Sequence, residues 1–148
     1  MLTLSKKSDY GLIALKDLAE HSAQRPRTTR EISEAYRIPL PILAKILQIL
    51  SRENLMVSQV GPHGGYHLAR PATEINAFEV ICAIDGPLCI TSCMGTHETC
   101  ALEGRCMIKE PLQKLNDTIK DLLTSISIAD LTESASEKAL NVLISSRG

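Results

Sequence analysis

The chain of 148 residues is poor in aromatic side chains and has no long apolar run. It contains no tryptophan, one phenylalanine and three tyrosines, together 3% of its residues. Because hydrophobic residues still make up 44%, the core has to be built from leucine, isoleucine and alanine, a composition typical of helical proteins. No segment has the length or apolarity of a signal peptide or a membrane span. We therefore expect a mainly helical, cytoplasmic protein with no membrane partner.

A strong charge of one sign is also missing, since the net charge is −1. Residues 1–75 nevertheless carry ten Lys/Arg against seven Asp/Glu, and residues 76–148 carry six against ten. This asymmetry favours the front half as the place of a nucleic-acid-binding surface. The five cysteines are an odd number in a chain without a secretion signal, which argues against a disulfide framework.

The most distinctive stretch is the cysteine-rich segment from Pro87 to Met107. Cys93, Cys100 and Cys106 form a C-x6-C-x5-C array within a run of Gly, Thr, Ser and Glu that has no apolar period. Thiolates in such a loop are suited to bind a soft metal, because the metal supplies the order that the loop lacks. The array therefore predicts a metal or iron–sulfur site.

The front half has the pattern of a helix-turn-helix. Apolar residues at helical spacing predict a first helix over 8–22, started by Ser5 or Ser8, with Lys16, Asp17 and Glu20 on its outward face. A capping box of Thr28 and Glu31 opens a short second helix. A third helix runs from about Leu40 to Glu53 and turns basic and amide groups outward, those of Lys45, Gln48 and Arg52. Two short helices joined by a tight turn are typical of DNA-binding domains.

A β-hairpin directly after the third helix predicts a wing. Residues 56–60 and 66–69 read as two short strands, and the glycine-rich turn 61–65 joins them. Gly64 and Gly65 permit positive φ and a close approach of the backbone to phosphates. For His63 and His67 of the hairpin, the simpler interpretation is that they are solvated surface residues without a role in binding.

The back half predicts a short helix over 76–84 and a long amphipathic helix over 110–128. The apolar residues of the long helix recur at steps of three and four, namely Leu112, Leu115, Ile119, Leu122 and Ile126. Such a seam usually packs against a partner helix, most often in a two-fold dimer, and packing onto its own domain is the alternative. The tail after residue 133 is compatible with a further short helix.

These patterns predict a mainly α fold with a small β-hairpin, a winged helix-turn-helix domain plus a long dimerisation helix. The expected division is a DNA-binding domain over 1–75, a connecting helix and cysteine loop over 76–107, a dimerisation helix over 108–130 and a tail over 131–148.

Taken together, these parts resemble the Rrf-two (Rrf2) family of bacterial regulators, which includes IscR, NsrR and RirA. The opening LTLSKKSDYGLIALKDLA, the wing GPHGGYHLA and the three-cysteine loop carry the resemblance over nearly the whole chain. It implies a homodimeric winged-helix transcription factor that binds double-stranded operator DNA and holds an iron–sulfur cluster, 2Fe–2S or 4Fe–4S. The opening LTLSKKSDYG is most similar to the subgroup that regulates the SUF iron–sulfur assembly operon.

The resemblance also implies the cluster ligands, with Cys93, Cys100 and Cys106 as three of them. IscR-like members place a histidine three residues after the last cysteine, but here that residue is Lys109, whose ammonium group is a poor ligand. NsrR-like members use an aspartate on the first helix of the partner subunit, and Asp9 occupies the matching position. His97, an exogenous thiol and water are the other candidates for the fourth ligand.

The remaining two cysteines are left outside the ligand set. Cys82 lies on the apolar face of its helix and is better explained as a small core residue. Cys89 is a spare ligand or a thiol that pairs when the cluster is lost.

For DNA, we expect each third helix to enter a major groove, with half-sites roughly 34 Å apart. Lys45 and Gln48 are the expected readers of base edges, because ammonium and amide groups match purine acceptors. Phosphate contacts are expected from the remaining basic side chains and the wing, that is from Arg30, Arg37, Arg52, Gly64, Gly65 and Tyr66.

Three other interpretations are compatible with the residues. A structural zinc could occupy the same thiolates, or the cysteines could form a metal-free thiol switch. Within the family, a repressor responding to nitric oxide or redox state is a further alternative. A thiol hydrolase using Cys100 and His97 lacks a third orienting group, so we do not expect an enzyme.

Overall fold

The computed structural model describes residues 3–21, 23–94, 102 and 104–132. Six helices and one two-stranded antiparallel sheet form this part of the chain. Two short 3-10 turns lie at Ala72–Glu74 and Ser92–Met94. In chain order the elements are α1 (Lys6–Glu20), α2 (Thr29–Tyr36), α3 (Leu40–Arg52), β1 (Met56–Gln59), β2 (Gly65–Leu68), α4 (Ala77–Asp85), α5 (Lys109–Ser125) and α6 (Ile128–Thr132).

The predicted fold class, mainly helical with a β-hairpin, is confirmed. Ser5 is the N-cap of α1, and its hydroxyl accepts a hydrogen bond from the Ser8 N–H at 3.1 Å. The predicted capping box of α2 is present, with Thr28 accepting from the Glu31 N–H and Glu31 accepting from the Thr28 N–H. This reciprocal pair of hydrogen bonds satisfies backbone N–H donors that the first turn of a helix otherwise leaves without a partner.

The core lies mainly between α1 and α3. It is aliphatic, as the scarcity of aromatic residues requires. The buried faces of α1 and α3 meet across it, and α2, α4 and α6 close its sides. Its fully buried side chains include Leu15, Ile32, Leu43, Ile46, Leu47, Leu50, Ile75, Val80 and Ile128. Within the described residues no helix is long and apolar enough to cross a membrane.

The predicted wing is present as β1 paired with β2, in a register that places Met56 opposite Leu68. The return strand starts at Gly65, one residue earlier than predicted, because Gly65 pairs with Gln59 of β1. On its other side the hairpin is extended by a bridge to the chain before α2. There Arg27 and Tyr66 exchange both backbone hydrogen bonds, at 3.0 and 2.7 Å. The wing is thereby attached to the helix-turn-helix through its main chain.

The predicted end of the long helix at Ile128 is wrong, since α5 stops at Ser125. Ser127 and Asp130 start α6 with reciprocal hydrogen bonds, which turns the chain back. The backbone of this turn pairs with the link before α4, where Ala77 N–H donates to Ile126 and Ile128 N–H donates to Ile75, both at 2.8 Å. Ile128 is consequently buried in the core of the front half. A helix predicted for the tail lies outside the described residues.

Gly65 is required by this close packing, which leads to a stability prediction. A Cβ at Gly65 would lie 2.7 Å from the carbonyl oxygen of Arg27. A Cβ at Gly61, which also has a positive φ, would meet nothing within 4 Å. We therefore expect Gly65→Ala to lower the free energy of unfolding by about 1–3 kcal/mol more than Gly61→Ala, measured by urea denaturation. Equal losses in the two variants would mean that backbone conformation alone requires the glycine.

Candidate nucleic-acid interface and metal centre

Helix α3 has one buried and one exposed face. Leu43, Ile46, Leu47 and Leu50 are fully buried, while Lys45, Gln48 and Arg52 are exposed. The exposed three lie at steps of three and four residues, so they share one face of the helix. The predicted base-reading residues Lys45 and Gln48 are therefore adjacent on the surface, and their role stays a prediction.

The six arginines of the front half and Lys45 fall into two groups. Arg25, Arg27 and Arg70 form ion pairs with Glu31, Asp17 and Glu79. Within the described residues, no carboxylate pairs with the four basic residues predicted to contact DNA, which are Arg30, Arg37, Lys45 and Arg52. All four are exposed, so their charge is available to a polyanion.

The positive charges of Arg25, Arg27 and Arg70 are balanced by their carboxylate partners, so they are less available to a ligand. Hydrogen bonds from Arg25 and from the cap residue Thr28 lower the pKa of Glu31 from 4.5 to about 2. The same hydrogen bond and charge raise the pKa of Arg25. This part of the basic link between α1 and α2 therefore stabilises the start of α2, and we exclude it from the DNA-contacting set.

Asp17 is the residue that the sequence reasoning placed wrongly, on the outward face of α1. Its side chain is 1% exposed because the chain between α1 and α2 folds over it. It accepts hydrogen bonds from Arg27 Nε at 2.9 Å, Arg27 Nη2 at 3.2 Å and the Tyr36 hydroxyl at 2.9 Å. Burial, followed by the bond to Asp17, raises the pKa of Tyr36 to about 12. Helical periodicity cannot reveal this site, since both partners come from other elements.

In the wing, Gly64, Gly65 and Tyr66 are half-buried. Tyr66 packs against the core and its backbone bonds to Arg27, so its part in the structure is to hold the wing. The predicted phosphate contacts of these three residues are untested.

The cysteine segment is described in part. Cys93 is exposed with its Sγ 3.2 Å from the Thr91 hydroxyl, and Cys106 is half-buried shortly before α5. Cys100 and His97 lie outside the described residues. The Cys89 thiol donates to the Met94 carbonyl at 3.3 Å, and Cys82 is half-buried on α4.

These four described cysteines are free thiols, and among the described residues no three His, Cys, Asp or Glu side chains converge as a metal site. Thiols that are not tied up in disulfides are the donor set that iron–sulfur clusters and zinc take. Two of the three predicted cysteine ligands are thus present in a suitable chemical form.

Asp9, the predicted fourth ligand, lies half-buried on α1. It lines a surface cavity of about 400 Å³ that is walled by α1 and α6. Within the described residues its carboxylate makes no hydrogen bond or ion pair. Neighbouring side chains of this cavity are Lys6, Tyr10, Ile13, Lys16 and Leu131. The structure does not bring Asp9 together with three cysteines, so its ligand role stays a prediction.

The start of the cysteine segment is attached to α1 by Asp85, which the sequence reasoning missed. Asp85 is the last residue of α4, and its two carboxylate oxygens accept from Ser5 Oγ at 2.6 Å and Ser8 Oγ at 2.7 Å. Burial acts to raise the pKa of Asp85, but the serine hydrogen bonds and nearby Lys7 outweigh it and hold the pKa below 3.8. Further along, buried Asn116 on α5 accepts from the Ile90 N–H at 3.2 Å.

Comparison with known proteins identifies the family. The family model Rrf2, described as an iron-dependent transcriptional regulator, matches residues 4–134. The chain belongs to the Rrf2 family. The HTH-type transcriptional regulator IscR of Photorhabdus laumondii is 36% identical over 130 residues, which are 88% of this chain and 79% of IscR.

Solved structures agree with this assignment. T. potens IscR superposes with a TM-score of 0.71 and 28% identity, covering 93% of this chain and 90% of that protein. CymR, the global cysteine regulator of B. subtilis, gives a TM-score of 0.74 and 25% identity over 89% of this chain and 97% of CymR. This Rrf2 chain is thus a winged helix-turn-helix transcriptional regulator that binds DNA. The expected regulator, rather than an enzyme, is confirmed.

The Asp85 contact predicts a pH-dependent stability difference. Since the pKa of Asp85 is lowered in the folded state, its ionised form stabilises the fold above about pH 4, and this contribution is lost as the pH falls through the lowered pKa. Because Asp85 is exposed, we expect Asp85→Asn to cost only about 0.5–1 kcal/mol at pH 7, and less as the pH falls through the lowered pKa, measured by urea denaturation. Asp117→Asn, an exposed residue of α5, is the control. A pH-independent cost in Asp85→Asn would contradict the assignment.

Proposed function

We propose that this Rrf2 protein is a homodimer whose affinity for operator DNA is controlled by an iron–sulfur cluster, held by Cys93, Cys100 and Cys106 of one subunit and Asp9 of the other. The observation that carries the proposal is the cysteine segment itself, with free thiols at Cys93 and Cys106. In a family of iron-dependent regulators, this donor set fits a thiolate-bound iron cluster.

DNA binding is assigned to α3 and the wing. The exposed face of α3 would enter the major groove, with Lys45 and Gln48 at base edges. Arg30, Arg37 and Arg52 would lie along the phosphates, which is supported by their exposure and their lack of ion pairs within the described residues. The backbone at Gly64 and Gly65 and the nearby Tyr66 would follow the adjacent strand of DNA.

Dimerisation is assigned to α5. Leu115 and Leu122 on this helix are 51% and 58% exposed and lie seven residues apart, on the same face. Met107 and Ile108, just before the helix, are exposed as well. A second copy packed on this face would remove these side chains from water, and it would bring the α1 helix of one subunit towards the cysteine segment of the other.

The cluster would supply a redox-sensitive and oxygen-sensitive thiolate-bound iron centre. The chain's own residues would transmit its presence. Asp85 joins the start of the cysteine segment to Ser5 and Ser8, which precede Asp9 at the start of α1. A rearrangement of the segment would therefore displace α1, and α1 packs directly against α3.

Regulation of iron–sulfur assembly genes of the SUF type is the proposed biological role, carried by the similarity of the opening LTLSKKSDYG. The expected division into residues 1–75, 76–107, 108–130 and 131–148 is proposed as the functional layout. Residues 128–132, however, pack as α6 against the DNA-binding part. Binding to bacterial operator DNA would occur in the cytoplasm.

A cluster-free thiol switch is the second candidate. It is favoured by the exposure of Cys93 and by the similarity to Staphylococcus aureus CymR, solved in an oxidized form at 25% identity and a TM-score of 0.71. A repressor that responds to nitric oxide or to redox state, and a regulator with structural zinc, use the same thiolates. Metal analysis separates the iron–sulfur cluster, the structural zinc and the metal-free thiol switch.

We expect protein purified without oxygen to be brown and to contain iron and acid-labile sulfide, measured by absorption spectroscopy and chemical analysis. Cys93→Ala should lose most of the iron because it removes a ligand, whereas Cys82→Ala should keep it. A colourless protein with stoichiometric zinc would replace the cluster by a structural metal. Metal-free protein that stays colourless after anaerobic reconstitution would favour the thiol switch.

We expect Lys45→Ala and Arg52→Ala to have different effects on specific and non-specific DNA binding. Loss of a base contact at Lys45 should weaken binding to the operator by about 1–3 kcal/mol and leave non-specific binding nearly unchanged. Loss of a phosphate contact at Arg52 should weaken both and reduce the salt slope by about 1. Fluorescence anisotropy at several salt concentrations measures these effects.

Lys114→Ala is the matched control, since it removes one positive charge from the exposed face of α5. If all three variants lost the same affinity on both kinds of DNA, net charge rather than the surface of α3 would determine binding.

A further inference from the structure

The first turn of α3 is apolar on the surface that the proposed function turns towards DNA. Leu40 and Ile42 are each 40% exposed, and Pro41 between them is exposed too. Pro41 lies four residues before Lys45, on the same face of the helix. The sequence reasoning considered only the polar residues of this face, so these three side chains had no role.

The backbone of this turn adds little hydrogen-bonding capacity. Pro39, the N-cap residue, and Pro41 have no N–H, and Pro39 makes no side-chain cap. The N–H groups of Ile42 and Leu43 both donate to the Pro39 carbonyl, at 3.1 and 3.0 Å. Only Leu40 is left to offer a free N–H, so a phosphate or a base acceptor would find few donors here.

The surroundings of this patch are positively charged. Arg37 precedes it and Lys45 follows it, both exposed and, within the described residues, both without an ion pair. An apolar patch between two positive charges is better suited to bind a polyanion that also carries apolar groups than an uncharged protein surface. In the major groove that feature is the C5-methyl group of thymine, since every other distinguishing group of the four base pairs is polar.

We propose that Pro41 and Ile42 recognise thymine in the operator by contact with its C5-methyl group. The inference rests on the proposed DNA binding through α3 and specifies part of the sequence that α3 selects. Ile42 is β-branched and therefore restricted at χ1, so it presents its apolar surface with little loss of side-chain entropy. Each half-site should contain a thymine at the position facing the first turn of α3, about 9 Å along the helix from the bases facing Gln48.

The size of the effect follows from the burial of one methyl group. Removing it should weaken binding about fourfold per half-site, and about fifteen-fold when both half-sites of a symmetric operator are changed. Replacing thymine by deoxyuridine removes only the methyl group and keeps the Watson–Crick and O4 hydrogen-bonding groups.

The test uses the full-length protein and a duplex selected by it from a random DNA pool. Each thymine is replaced in turn by deoxyuridine, and dissociation constants are measured by anisotropy. We expect the penalty at one symmetric pair of positions in the wild type. The penalty should shrink in Ile42→Ala, where only Pro41 is left to contact the methyl group, while Arg52→Ala should bind less tightly and keep the full penalty.

The inference is overturned if no deoxyuridine weakens binding, or if Ile42→Ala keeps the penalty. It is also overturned if Ile42→Ala changes the oligomeric state in sedimentation, because a second copy would then cover the patch. Failure to select any DNA would instead remove the proposed DNA-binding surface as a whole. Circular dichroism confirms that Ile42→Ala, a substitution of a surface residue, is folded.

Discussion

The arrangement of the DNA-binding half depends on the buried ion pair of Asp17 and Arg27. The Asp17 carboxylate on α1 holds the Arg27 guanidinium and the Tyr36 hydroxyl, and the Arg27 backbone holds β2 of the wing. One carboxylate therefore connects α1, the end of α2 and the hairpin. Leaving such a buried charge without its partner typically costs about 3–5 kcal/mol, a large fraction of a domain's stability of about 5–15 kcal/mol. The position of the wing relative to α1 and α2 therefore depends on this one buried contact.

Helix α1 is also where the other half of the molecule is attached. Ser5 and Ser8 in its first turn hold Asp85, and Asp17 three turns later holds the link to the wing. Gly11 lies between them, where the helix passes close to Ile84 of α4. The two ends of one rigid helix are therefore occupied by the start of the cysteine segment and by the DNA-binding elements. A helix in this position can carry a displacement over its length with little bending, which is a physical basis for communication between two sites.

Much of the fold could be predicted because its determinants are local. Capping residues such as Thr28 and Glu31 and the apolar periods of α1 and α3 specify helices within a few residues, and the glycine-rich turn specifies the hairpin. Errors arose where distant residues decide. Asp17 is buried only because Arg27 and Tyr36 reach it, and α5 ends early because Ile128 joins a core formed by residues far away in sequence. For the candidate site, spacing alone predicts the cysteine ligands, whereas the anchoring residues Asp85 and Asn116 carry no local signal.

The packing of α4 against α5 and the hydrogen bond from the Ile90 N–H to Asn116 join the chain on either side of residues 91–115. The folded protein has therefore already lost the conformational entropy of closing this loop before a metal binds. A ligand that cross-links Cys93 and Cys106 then closes only shorter loops inside it, and loop-closure entropy grows slowly with length, by about 0.6 kcal/mol per doubling. The free energy of metal binding would therefore be available mainly for local ordering, and the winged helix, whose core contains none of these cysteines, would remain assembled when the metal is lost.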